Sequence, residues 1–285
     1  MCKECVLQWK FLLLLLGIVS CTGKSGDTVD NKETPVEEEV VEANITGEEI
    51  TYATDSLVMK GYIAYDKNLE GKRPGVLVVH EWWGHNDYAR KRAEMLAELG
   101  YVALAVDMYG EGQKASHPTD AGKFAMSVMT NIDAGQARFA RALEELKANP
   151  NVDTEKIGAI GYCFGGSVVL TMANMGLEMD AVAAFHSGVE LPVMPEGEKV
   201  KAKILVCNGA DDTFVSPESV KSYKTAMDAA GADYKYIAYE GAVHSFTSPD
   251  ADSLGRQFDM PLAYNAEADT QSWNEMKALF DSVFQ

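Results

Sequence analysis

From about Ile50 to the end of the chain, short apolar runs rich in β-branched residues alternate with longer segments of helical periodicity. No other feature constrains the fold as strongly. "ITYAT" and "LVMKGYIAYD" read as an antiparallel pair of strands, followed by "PGVLVVH", "YVALAVDMY", "KIGAIGY", "AVAAFHS", "KILVCNG" and "YKYIAYEG". Between them lie the helix-like "YARKRAEMLAELG", the long "TDAGKFAMSVMTNIDAGQARFARALEELKAN", "GGSVVLTMANMG" and "SPESVKSYKTAMDAAG", and "EADTQSWNEMKALFDSVF" closes the chain. Strands that are apolar throughout must be covered on both faces, so the pattern predicts an α/β fold with a mostly parallel central sheet and helices on both sides. Such sheets bind their ligands at the carboxyl ends of the strands.

The residues before Ile50 differ in character. "MCKECVLQWKFLLLLLGIVSC" joins Lys3 and Lys10 to an apolar run from Phe11 to Val19, too short to span a membrane as a mature helix, and residues 1–20 read as a secretory signal. Its end, "IVSC", resembles the lipobox of bacterial lipoproteins, which implies cleavage before Cys21 and a lipid on that residue. Residues 21–49 then read as an acidic, flexible tether, because Thr22 to Glu49 hold nine acidic and two basic residues with little apolar periodicity. The expected location is the bacterial cell envelope, with the membrane engaged only through the lipid. A net charge of −18 repels nucleic acid, and no basic stripe offsets it.

Of five cysteines, Cys2 and Cys5 leave with the signal and Cys21 takes the lipid, so Cys163 and Cys207 alone remain in the mature body. That is no disulfide framework, in a compartment that oxidises thiols. Cys207 lies mid-strand and reads as core. Cys163 lies just past one.

Reactive residues gather at strand ends: His80 and Glu81, Asp107 and Tyr109, Cys163, His186, Asp211 and Asp212, and His244. "GYCFG" fits the strand-to-helix turn in which glycines two before and two after a nucleophile permit a sharp backbone. The N–H of Phe164, opening the next helix, would face a developing oxyanion, and the helix N-terminus favours a thiolate. "GADDTFV" selects Asp212 over Asp211, and His244 follows about thirty residues later. The order nucleophile, acid, histidine is that of the α/β-hydrolase triad. His80, Glu81 and His85 do not make a zinc motif, because the spacing departs from H-E-x-x-H and the segment follows a strand. No Gly-rich phosphate loop is present, so neither metal nor cofactor is expected. His117 reads as a solvated loop residue.

Over about Ile50 to Gln285 the chain resembles the dienelactone hydrolases. The resemblance rests on "HEWWG" at 80–84, "GYCFGG" at 161–166, "GADDTFV" at 209–215, "GAVHSF" at 241–246 and "AYNAEADTQSW" at 263–273. It implies the α/β-hydrolase fold, a triad of Cys163, His244 and Asp212, and a Glu81 near the thiol that controls its protonation. It also implies an oxyanion hole formed by the N–H groups of Trp82 and Phe164. Trp83, Tyr109 and His186 are expected to line the substrate pocket.

Two positions depart from the family. Members acting on carboxylated lactones hold the substrate carboxylate with two arginines, and those places carry Glu111 and Ser248 here. A glutamate ~6 Å from a substrate carboxylate would cost ~3 kcal/mol at an effective dielectric of ~20. The expected function is therefore hydrolysis of a small neutral ester or lactone, by a monomer, through an acyl-thioester. A non-catalytic envelope lipoprotein that binds a ligand, and a thiol-dependent peptidase or acyltransferase, are the rival readings.

Overall fold

The computed structural model describes residues 42–285. The expected signal, the lipidated Cys21 and all but the end of the tether lie outside the described residues. Eight strands form one sheet in the order β1-β2-β4-β3-β5-β6-β7-β8. They are β1 (Ile45–Ala53), β2 (Val58–Asp66), β3 (Arg73–Val79), β4 (Val102–Val106), β5 (Val152–Tyr162), β6 (Ala181–Phe185), β7 (Lys203–Gly209) and β8 (Tyr234–Tyr239). The pairs β1–β2 and β2–β4 are antiparallel and all others parallel.

Among the described residues the α-helices are α1 (Asp87–Glu98), α2 (Pro118–Met129), α3 (Ile132–Ala148), α4 (Phe164–Asn174), α5 (Pro217–Ala230), α6 (Ala251–Phe258) and α7 (Ala266–Val283). Successive strand residues point to opposite faces, and the sequence supplies apolar side chains for both. Leu77 and Val79 of β3 join a core with Phe139 of α3, Val168 of α4 and Met227 of α5. Val76 and Val78 join a second core with Leu96 of α1 and Phe280 of α7. Each face of the sheet thus has its own helical cover.

Three elements differ from the sequence-based expectation. Strand β1 begins at Ile45, so residues 45–49 belong to the sheet and not to the tether; the register runs unbroken from Ile45 opposite Asp66 to Ala53 opposite Val58. Their charged side chains hid a strand that needs only its backbone to pair, since Glu48 and Glu49 point outward from an edge. The long helical segment is two helices, broken at Asn131, whose ψ of 68° leaves the helical region. The Thr130 hydroxyl donates back to the Met126 carbonyl and closes the last turn of α2. Helix α6 was not anticipated. His117 is solvent-exposed just before α2, as expected, and there it accepts the Thr119 N–H at Nδ1 and caps the helix.

Candidate active site

Strand β5 runs directly into α4 through Cys163, whose φ of 53° and ψ of −116° are strained for a residue with a side chain. The flanking glycines are sterically required. A Cβ at Gly161 would stand 2.1 Å from the Gly165 carbonyl oxygen, and one at Gly165 would stand 2.3 Å from that of Val79. The turn holds only if α4 can begin against the end of β3, and that places the thiol at the α4 N-terminus.

His244 follows β8 and Asp212 follows β7, neighbouring strands. The His244 Nδ1–H donates to Asp212 Oδ2 at 2.8 Å, and Nε2 lies 3.1 Å from Cys163 Sγ. Asp212 is anchored in turn, since its Oδ1 accepts the Phe214 N–H. Asp211 faces out and accepts from the Gly241 N–H. Burial alone would depress His244, but the Cys163 sulfur and the Asp212 carboxylate raise it to about 10. A base bonded to a nucleophile on one side and a carboxylate on the other can move a proton to and from a reacting group.

Two residues that line the pocket with Cys163, Trp82 and Phe164, have unpaired backbone N–H groups among the described residues. Phe164 is the first residue of α4, so its N–H has no partner within the helix. Trp82 lies in the turn after β3, and among the described residues its N–H also has no acceptor. The Tyr109 hydroxyl donates to the Trp82 carbonyl at 2.9 Å and fixes that turn. Asp107 secures the loop that carries Tyr109 by accepting the N–H groups of Tyr109, Gly110 and Gly112.

Glu81 is 3% exposed, and burial pushes its carboxyl up to about 7. Its hydrogen-bond partner is the Ser245 hydroxyl, 3.2 Å away, and not the thiol. Ser245 adjoins His244 and has a φ of 59°, so Glu81 meets the loop of the base, and it borders a second cavity rather than the sulfur's pocket.

That pocket, of about 260 Å³, is bounded by Trp82, Ala125, Met129, Phe214, Met260 and Leu262 around Cys163 and His244. No lysine, arginine, aspartate or glutamate lines it. Three residues expected there are elsewhere. Trp83 is turned away, stacked on Phe258 beside a second, polar cavity that it shares with Glu81. Tyr109 is buried under Trp82 and packs against Phe164. His186 is completely buried behind His244, its ring 5.4 Å from that of the base, and shares the Thr247 hydroxyl with Tyr88. Each sits at the right end of its strand, but the loop beyond turns its side chain inward. Burial holds His186 well below the usual imidazole range, hence neutral. Glu111 is exposed on a turn bonded to Val58, and Ser248 borders the polar cavity, so neither lines the thiol pocket. The electrostatic penalty expected from Glu111 therefore gives way to a simpler feature, the lack of any lysine or arginine in the lining among the described residues.

Thr247, Met129, Phe214 and, in the segment after α6, Met260 and Leu262 were not anticipated. Only "HSFTS" carried a signal for any of them, a run of hydroxyl residues directly after the base.

Protein usf of Aquifex pyrophilus is 28% identical over 239 residues, covering 82% of this chain and 97% of its own. The solved structure named m3DLH is 36% identical with a TM-score of 0.81, covering 85% of this chain and all of its own. A dienelactone hydrolase-like promiscuous phosphotriesterase from metagenomic libraries is 34% identical with a TM-score of 0.79 and the same coverage. These neighbours share the α/β-hydrolase fold. The dienelactone hydrolase family model matches residues 59–284, from the second strand to the end of the last helix and across every strand end just described. A sheet of this order and a match of this extent make the chain a member of the dienelactone hydrolase family, and a hydrolase.

Proposed function

We propose that the domain hydrolyses neutral carboxylic esters or lactones through an acyl-thioester on Cys163. The carrying observation is the pair of hydrogen bonds from Asp212 through His244 to Cys163, opening on a pocket that has no lysine, arginine, aspartate or glutamate in its lining. With its proton on His244, the sulfur attacks the carbonyl carbon. A C–S bond forms and the carbonyl oxygen takes the electron pair, where the Trp82 and Phe164 N–H groups stabilise it. Collapse breaks the C–O bond to the alcohol, and His244 Nε2 gives its proton to the departing alkoxide. Water then loses a proton to His244 and adds to the thioester. The C–S bond breaks, the carboxylic acid leaves, and the Cys163–His244 pair is restored. Glu81 acts as a positioning residue through Ser245.

Ester specificity follows from the lining. A substrate carboxylate would be desolvated with no lysine or arginine to meet it, the His244 imidazolium being already matched by Asp212 and the Cys163 sulfur, at a cost of several kcal/mol. A neutral methyl ester should therefore exceed the corresponding carboxylate-bearing substrate at least tenfold in kcat/KM, and equal rates would remove this part of the reading. A neutral phosphate triester meets the same requirement, and the 34% identical phosphotriesterase makes it the second substrate to assay.

The decisive measurement is p-nitrophenyl acetate hydrolysis by residues 42–285, comparing the wild type with Cys163→Ala and His244→Ala. Each variant should lose at least a hundredfold. If all three hydrolyse equally, Cys163 is not the nucleophile and a ligand-binding role becomes the better account; amide turnover would favour a peptidase.

A further inference from the structure

Beyond the thiol pocket lies a larger cavity, of about 640 Å³. One wall is α2, through Met126 and Met129, and the other is the segment after β6, through Val189, Leu191, Pro192 and Met194. Its polar border consists of Glu190, Ser219 and Ser222. The two cavities adjoin along both walls. Ala125 and Gly188 face the thiol pocket, while their chain neighbours Met126 and Val189 face the larger one, and Met129 borders both.

Met129 is thus a partition, and a yielding one. Its thioether side chain has three rotatable bonds and no branch. The helix that carries it is lightly held, since Ala121 and Val128 are its only buried residues, and Met129 is its last residue, just before the break that precedes α3. Exposure singles out the same region. Met126, at 58%, and Phe214, at 51%, are the most exposed of the large apolar side chains, and they stand one on each cavity. Isolated exposed apolar residues are ordinary, but two at the mouths of adjoining apolar cavities beside a nucleophile form a binding surface.

The geometry points to an acyl-chain subsite: the methionine-walled cavity receives a medium-length or long aliphatic acyl group whose carbonyl sits at Cys163, with Met129 swinging aside to join the two spaces. This rests on the thioester reading, because that reading fixes the orientation. The alcohol must leave at His244, which lies against Phe214 at a ring separation of 4.9 Å. The acyl group, retained on the sulfur, is left the side of Met129 and Gly188.

The test is a p-nitrophenyl ester series from acetate to octanoate on residues 42–285, with Met126→Glu and Met194→Glu beside the wild type. Each buried methylene is worth up to about fourfold. Even with partial burial, kcat/KM for octanoate should exceed that for acetate by roughly a hundredfold in the wild type. Both variants should lower the octanoate-to-acetate ratio at least tenfold, and Met126 is exposed enough that its variant will fold. A flat wild-type series, or a gain that both variants keep, overturns the subsite. A second readout separates this outcome from failure of the thioester reading. Tryptophan fluorescence on Cys163→Ala reports binding of ethyl octanoate without turnover. Binding that Met126→Glu weakens tenfold supports the subsite even if no ester is hydrolysed, whereas no binding overturns it.

Discussion

At Glu81, burial and function pull against each other. Burial raises its carboxyl to about 7, although His244, Ser245 and Arg92 act in the opposite sense. Because the folded value lies above the unfolded one, the neutral acid is the form that folding favours. Its contribution to stability is intact near pH 4.5 and is lost as pH rises through 7. Glu81→Gln, which cannot ionise, should therefore be more stable than the wild type at pH 8 by about 2–3 kcal/mol and no more stable at pH 4.5, as urea titrations at the two pH values would read. If the gain were equal at both, ionisation would not be its source. Glu81 was legible in "HEWWG", and its partner was not. Ser245 turns toward Glu81 because its backbone is in the left-handed region, a conformation set by the loop that pairs His244 with Leu262. His186, with a φ of 38°, was misplaced for the same reason: a sequence shows which residue ends a strand, and the next dihedral decides where its side chain goes.

Among the elements, α1 joins the others to the site through one residue. Arg92 is 4% exposed, donates to the Thr247 carbonyl and Asp269, and lies over the rings of Tyr88, Tyr162 and Trp273. It ties the segment after His244 to α7. Arg92→Ala leaves the Asp269 carboxylate with only the Tyr264 hydroxyl as partner and the Thr247 carbonyl without this donor, and should cost about 3–5 kcal/mol, seen as a lower denaturation midpoint. Gly165→Ala tests a different junction. Its Cβ must displace either α4 or the end of β3, so ester hydrolysis should fall at least a hundredfold while far-ultraviolet circular dichroism is kept. The central strands were legible because they are apolar on both faces. The split between α2 and α3 was not, since both halves keep helical periodicity and Asn131 differs from its neighbours only in backbone angle. Helix α6 has eight residues, of which only Ala251 and Gly255 are buried, too few to show a periodic stripe.

For the molecule as a whole, the true start of the domain has a measurable effect. A fragment beginning at residue 50 loses five of the nine β1–β2 register pairs, along with the Asn44 N–H bond to Asp66. It should be about 2 kcal/mol less stable than residues 42–285, a lowering of Tm by roughly 4–8 °C in calorimetry. Upstream of that boundary, the full chain expressed in a bacterium should incorporate labelled fatty acid, and Cys21→Ala should not; labelling of both would place the lipid elsewhere. The mostly parallel sheet, its helical cover on both faces and the strand-end residues were all open to sequence reasoning, because they depend on pattern. Cavity walls were not, because they depend on which loops meet. Cys207 is fully buried, bonded to the Tyr239 hydroxyl, and pushed up to about 12 by burial. In the native domain one sulfur is therefore silent and the other stands open to reagents, so a simple thiol titration counts working sites, and every preparation carries its own standard for converting a rate into a turnover number.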